Sequence, residues 1–182
     1  QAYKKNPKDI VALNNLGRAY LVSKVSNEDK KNKNLKEALK FFRKILTIEN
    51  SSIEALFNIG TVYEKLSNEK LAEEYYRKVL NINPSYRDAN INLALLLLRK
   101  GQFSEGWERY EDRLLIDNPE RKKITGPNTS LPFWNLDCQD SKLFVWPEQG
   151  IGDSIFYSSL LNELNEKCSS MTCVLEPRLT EL

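Results

Sequence analysis

Residues 142 to 164 read KLFVWPEQGIGDSIFYSSLLNEL, and the loop inside them gathers side chains able to do chemistry. Glu148 and Asp153 bracket Gln149, Gly150 and Gly152, so two carboxylates stand at a mouth lined by glycine backbone. Such a mouth suits the hydroxyls of a polyol, with one carboxylate able to accept a proton. Amides at the start of the following helix also suit a phosphate, although both carboxylates repel one unless protonated or turned away. The string is not GxxxxGK(S/T), which excludes a P-loop. It carries the first two glycines of GxGxxG, but Ile155 holds the third place and only Glu176 is available as a ribose-binding acid, so a dinucleotide site is weakly supported. Asp153 is equally suited to cap the helix, and one residue can do both.

The elements around the loop form one β-α-β unit over residues 142–182. KLFVW is a short apolar run of the kind that forms a strand buried on both faces. SIFYSSLLNELNEK places Ile155, Leu160, Leu161 and Leu164 at helical spacing, MTCVLEP reads as a second strand, and RLTEL begins a second helix. A right-handed crossover is expected. The loop then lies at the carboxyl end of the first strand, where open α/β sheets hold ligands. Upstream, residues 116–141 are a linker punctuated by Pro119, Pro127 and Pro132, with Phe133 and Trp134 as anchors to a neighbour.

Residues 1–115 are organised differently. IVALNNLGRAYL, IEALFNIGTVYE and RDANINLALLLL begin at Ile10, Ile53 and Arg87, and each precedes a second amphipathic segment. The last two blocks start 34 residues apart; the first is nine longer, the excess falling in LVSKVSNEDKKNKN, which reads as a solvated loop. Gly17, Gly60 and Ala94, with Ala38 and Ala72, mark close helix approaches, and Tyr20, Phe42, Tyr63 and Tyr76 fill the space around them. Gly106 stands where the second helix of the third block expects alanine, so a close contact must demand it. Trp107 and Tyr110, three apart, are placed to pack on the next segment of the chain. This pattern resembles the tetratricopeptide repeat family, with units over 9–50, 53–84 and 87–115 and a partial unit over 1–8. The chain as given is expected to begin inside a repeat. The fold class is mainly α: a helix-turn-helix superhelix followed by a short Rossmann-like unit.

The resemblance implies a concave face lined by first helices that binds peptides. Asn15, Asn58 and Asn92 recur at the sixth position of every first helix. An amide both donates and accepts, so a ladder of them can pair with a peptide backbone whatever its side chains; it can equally bond within the scaffold. The ladder is similar to that of O-GlcNAc transferase. The succession GQFSEGWERYEDR, LPFW, KLFVWPEQGIGDSIF, VLEPRLTEL resembles bacterial proteins in which repeats precede a family-nine, heptosyltransferase-like glycosyltransferase domain. That resemblance implies that Asp153 deprotonates an acceptor hydroxyl, with Glu148, Gln149, Gly150 and Gly152 at the substrate. It also implies a nucleotide-sugar donor held by lobes that this chain lacks, so the chain as given is expected to be inactive.

Composition narrows the classes. A net charge of +2 with 29% charged residues argues against a nucleic-acid footprint. No apolar run approaches a membrane span. The absence of histidine excludes histidine-based nucleophile activation within these residues, and Cys138, Cys168 and Cys173 form no metal-ligand pattern. A cytoplasmic protein without a cofactor of its own is expected. Its partners are a protein or peptide ligand, and a second copy through the exposed sheet edges of the α/β unit. The alternative to the transferase reading is a non-enzymatic adaptor.

Overall fold

A computed structural model describes residues 6–114, 141–147 and 151–174; the side chains of Leu114, Ile151, Gly152, Asp153 and Phe156 fall outside that description. The chain divides into two compact units, Gln1–Arg113 and Leu114–Leu182.

The first unit is three helix pairs: α1 (Ile10–Val22) with α2 (Glu28–Ile48), α3 (Ile53–Lys65) with α4 (Glu69–Ile82), and α5 (Arg87–Arg99) with α6 (Phe103–Tyr110). Successive pairs join through α2 on α3 and α4 on α5, and a 3₁₀ turn, Glu111–Leu114, follows α6. Helices α1 to α5 each bury an apolar stripe, whereas α6 buries only Gly106 and leaves Phe103 and Trp107 exposed. Leu13, Leu35, Phe42, Ile45, Ile59, Val62, Tyr76, Val79, Leu93 and Leu97 form one continuous core.

The small residues are where the pairs close. A Cβ on Gly17 would lie 2.5 Å from the Phe42 ring, and one on Gly60 would lie 2.7 Å from Tyr76. Gly106 follows the same rule, its Cβ meeting a Leu98 methyl at 2.7 Å and the Leu98 amide nitrogen at 3.2 Å. The aromatic expectation holds for Phe42, Tyr63 and Tyr76, which are buried. Tyr20 departs from it: it is 37% exposed and stacks on Phe41 at 5.8 Å. Trp107 is 48% exposed and meets Tyr110 edge-on at 5.9 Å.

The turns within the second and third helix pairs share one geometry. Ser67 and Gly101, 34 residues apart, both adopt positive φ, 57° and 75°. In each case the following amide reaches back five residues, Asn68 to the Tyr63 carbonyl and Gln102 to Leu97, both at 2.9 Å. This is the Schellman closure that uses up orphan carbonyls at a helix end.

The long first block is not closed by a loop. Residues 28–34 add two turns to the front of α2, capped by the Asn27 side chain on the Lys30 amide at 3.0 Å. Glu28 and Asp29 fill the first turn, where the helix dipole favours carboxylates. Only residues 23–27 connect α1 to α2.

In the second unit, β1 (Lys142–Val145) pairs in parallel with β2 (Ser170–Cys173), Lys142 opposite Ser170 and Val145 opposite Cys173. Parallel neighbours require a crossover, supplied here by two short helices, α7 (Ile151–Ser158) and α8 (Leu161–Glu166), in place of one continuous helix. The expectation of a strand buried on both faces fails. Along β1 the side chains alternate between exposed and half-buried, with Phe144 37% exposed. Ile155 and Leu160 are also exposed, at 53% and 49%. The linker over 116–141, apart from Ser141, and the segment beyond Val174 with Glu176 lie outside the described residues. So do residues 1–5 of the partial repeat.

Candidate functional site

The residues that the sequence points to fall into two groups, built from different elements. The first is the amide row. Asn58 of α3 donates through Nδ2 to Asn14 Oδ1 of α1 at 3.2 Å, and Asn14 Nδ2 in turn donates to Glu54 Oε2 at 3.0 Å. Asn92 of α5 donates through Nδ2 to the Tyr76 hydroxyl at 3.2 Å. That hydroxyl donates to Glu64 Oε2 at 2.8 Å, and Glu64 Oε1 accepts from Arg99 at 3.0 Å. Burial, with the Glu64 carboxylate as neighbour, pushes the Tyr76 phenol well above its ordinary range, so it stays a donor. Asn15 is exposed.

Two of the three amides therefore spend one N–H on the scaffold, in side-chain chains that cross from one helix pair to the next. Among the described residues neither the Asn58 nor the Asn92 side-chain carbonyl accepts a hydrogen bond. An amide so held keeps an acceptor and a second donor at a fixed orientation. On the same helices Val11 is 68% exposed and Leu95 39% exposed, while Ile91 and Phe57 are half-buried, Phe57 packing on Tyr76 and Tyr86.

The second group of residues that the sequence points to is the PEQGIGD segment. Glu148, Gln149 and Gly150 lie outside the described residues. The helix that follows begins at Ile151, which places Gly152 second and Asp153 third in it. The choice between cap and base turns on the Asp153 side chain, which lies outside the described residues. Among the described residues no group of histidine, cysteine, aspartate or glutamate gathers as a metal site would. Cys168 and Cys173 are free and half-buried, and Cys138 lies outside the described residues.

A third cluster escaped the sequence. Asn90 is buried at 6% exposure where the other first helices carry Leu13 and Leu56. Its Nδ2 donates to the Pro84 carbonyl at 3.0 Å and to Asp112 Oδ2 at 2.5 Å, and its Oδ1 accepts from Arg109 at 2.7 Å. Arg109 also pairs with Glu105 at 2.8 Å. Glu105 receives both amino groups of Arg77 from the preceding pair, at 2.8 and 3.0 Å, and Arg77 and Lys100 both hold Glu73. Hydrogen bonding from Arg77, then from Arg109, holds the Glu105 carboxyl down at about 2. Lys100 chiefly does the same for Glu73, in direction. The signal available in the sequence was an asparagine at a position that is leucine in two other repeats.

With these groups defined, likeness to known proteins can be set beside them. Residues 53–86 match the tetratricopeptide repeat model. Those residues are α3, α4 and the connection to α5. Protein FlbA of Caulobacter vibrioides is 33% identical over 95 residues, which are 49% of this chain and 15% of FlbA. The crystal structure of MamA protein aligns over 63% of this chain and 57% of its own, at 21% identity and TM-score 0.50. A point mutant of the Thermobaculum terrenum O-GlcNAc transferase aligns over 90% of this chain and 36% of its own, at 16% identity and the same TM-score. At these identities the structural likeness is one of fold, a stack of tetratricopeptide-type helix pairs. The chain spans about half of MamA and a small part of FlbA. The first unit holds 113 of 182 residues, so an alignment over 90% must take in part of the second. Among the described residues no helix is long and apolar enough to cross a membrane.

Proposed function

We propose that this chain is a protein-interaction scaffold that receives an extended segment of a partner protein along its first helices, with Asn15, Asn58 and Asn92 addressing the partner's backbone. The observation that carries this reading is the row itself. Asn58 and Asn92 are pre-oriented by bonds to Asn14 and to the Tyr76 hydroxyl, and exposed or half-buried apolar side chains stand on the same helices. Backbone pairing supplies general affinity and Val11, Phe57, Ile91 and Leu95 supply selection. The tetratricopeptide match over residues 53–86 and the fold likeness to MamA support a scaffold over an enzyme. The test is calorimetric titration with peptides selected from a display library against the whole chain. Asn58→Ala and Asn92→Ala should each weaken the selected peptide about tenfold, the order of one lost hydrogen bond to a fixed partner. Unchanged affinity in both variants, with unchanged melting temperatures, would overturn the groove assignment.

A second reading is favoured by one observation, the alignment of the O-GlcNAc transferase over 90% of the chain. In it, the scaffold recruits an acceptor for sugar transfer from a nucleotide-sugar, and the β-α-β unit with its PEQGIGD loop is the opening of a heptosyltransferase-like, Rossmann-type lobe. Asp153 is then the base, and Glu148, Gln149, Gly150 and Gly152 adjoin the substrate. Sugar-nucleotide hydrolysis by the natural protein, with Asp153→Asn beside wild type, tests it. Turnover lost in the variant at an unchanged melting temperature supports the base role. No turnover across a donor panel with acceptor present returns the protein to the scaffold reading.

A further inference from the structure

The nine extra residues of the first block build something that the other two blocks do not have. Between the end of α1 and the added turns of α2 lies an open hollow of about 580 Å³, bounded also by the end of α3. That volume is within the range of ligand sites. Its walls are fixed by the chain's own bonds. Asn34 donates to the Ser23 hydroxyl at 2.8 Å, and that hydroxyl donates to the Tyr20 carbonyl at 2.8 Å. The Asn27 cap holds the start of α2.

The lining has two chemistries. Leu35 is buried at its base, while Val22 and Val25 leave 69% and 37% of their surface in solvent. Around these apolar groups stand Lys24, Lys31 and Lys65, and no carboxylate lines the hollow. Lys31 pairs with Glu28 at its outer side, at 3.2 Å. Lys24 and Lys65 form no ion pair among the described residues. Lys30, Lys33 and Lys36 lie along the same helix as Lys31, where Glu28, Asp29 and Glu37 offset most of their charge.

We infer that this hollow is a second binding site, separate from the amide row, for an acidic peptide segment: one large aliphatic or aromatic side chain seated on Val22, Val25 and Leu35, with flanking aspartates or glutamates met by Lys24, Lys31 and Lys65. Charge complementarity selects the partner, because Lys24 and Lys65, with Lys31 already shared with Glu28, repel basic segments and reward acidic ones. A single-stranded nucleic acid fits less well. Its bases need aromatic platforms, and the one aromatic residue here, Tyr20, is already stacked on Phe41.

The experiment is an array of twelve-residue peptides graded in acidic charge and in number of large apolar residues, probed with the whole chain and followed by solution titration. Retained peptides should combine aspartate or glutamate with leucine, isoleucine or phenylalanine, and their affinity should fall with added salt. The double variant Lys24→Glu, Lys65→Glu should lose at least about tenfold, and Val25→Asp likewise. Lys24→Gln with Lys65→Gln should lose less, in the same direction, which guards against a folding artefact. Asn58→Ala should leave these peptides bound, separating this site from the amide row. Selection of acid-free peptides, an affinity unmoved by the double variants, or tighter binding of an oligonucleotide of equal charge would each overturn the assignment.

Discussion

A Cβ at Gly60 would lie 2.7 Å from Tyr76 Cε1, and Tyr76 is fully enclosed, so its ring has no room to withdraw. Overpacking of this kind costs about 1–3 kcal/mol, against about 1 kcal/mol recovered in helix propensity. The difference is about 0–2 kcal/mol, so Gly60→Ala should destabilise the first unit by about 1 kcal/mol, read as a fall of a few degrees in melting temperature. Ser67 presents the opposite case. It is held at φ 57°, while its counterpart Gly101 takes the same turn without strain and with open space around it. Left-handed backbone costs a side-chain-bearing residue about 1–2 kcal/mol, of which added chain entropy cancels part in glycine. Ser67→Gly should raise stability by about 0.5 kcal/mol, seen as a higher urea midpoint at unchanged slope. The spacing of Gly17, Gly60 and Ala94 made the close contacts legible, because repetition turns one small residue into a pattern. The strain at Ser67 was not legible, since the handedness of that turn is imposed by helix closure and not by serine.

Between elements, the polar seam of Glu73, Arg77, Glu105, Arg109 and Asn90 ties the second helix pair to the third. Its sign with pH follows from Glu105. Its folded-state carboxyl sits at about 2, below the usual 4.5 expected unfolded, so the stabilisation is complete above about pH 4.5 and is lost as pH falls toward 2. Glu73 shifts in the same direction. Glu105 keeps 35% of its side chain in solvent, so after screening the contribution is about 1 kcal/mol. Urea midpoints at pH 6.5 and pH 3 should differ less in Glu105→Gln than in wild type. An equal drop in both would place the acid sensitivity elsewhere. The helix pairs themselves could be read from apolar period and from the 34-residue spacing. The seam could not, because Arg77 and Glu105 are 28 residues apart and charges on helix faces ordinarily read as solvated. The front of α2 was misread for a related reason. NEDKKNKN has almost no apolar content, yet Asn27 and the acids after it are the start signals of a helix.

Across the described residues burial is unequal, and that governs which of them open first. The middle pair is packed on both sides, by α2 and by α5, and Ala55, Ile59, Val62, Tyr76 and Val79 are fully enclosed. In a stack each pair leans on its neighbours, so these amides exchange only when the first unit opens as a whole. In the second unit no described side chain is buried, and the two strands share four residue pairs. The apolar run KLFVW invited the expectation of a two-sided burial that the two strands among the described residues do not show; a parallel sheet is shielded only when helices cover both faces. Backbone hydrogen bonds at exposed strands break locally. Amides of Lys142–Val145 and Ser170–Cys173 should therefore exchange at least about a hundredfold faster than those of Ile59, Val62 and Tyr76 in hydrogen-exchange mass spectrometry of the whole chain. Addition of an acidic peptide that fills the hollow beside Lys24 and Lys65 should slow exchange at the front of α2 and leave the strands as they were. Equal protection in both units would mean that something covers the strands, and the β-α-β unit would then belong to a larger folded body than the scaffold alone.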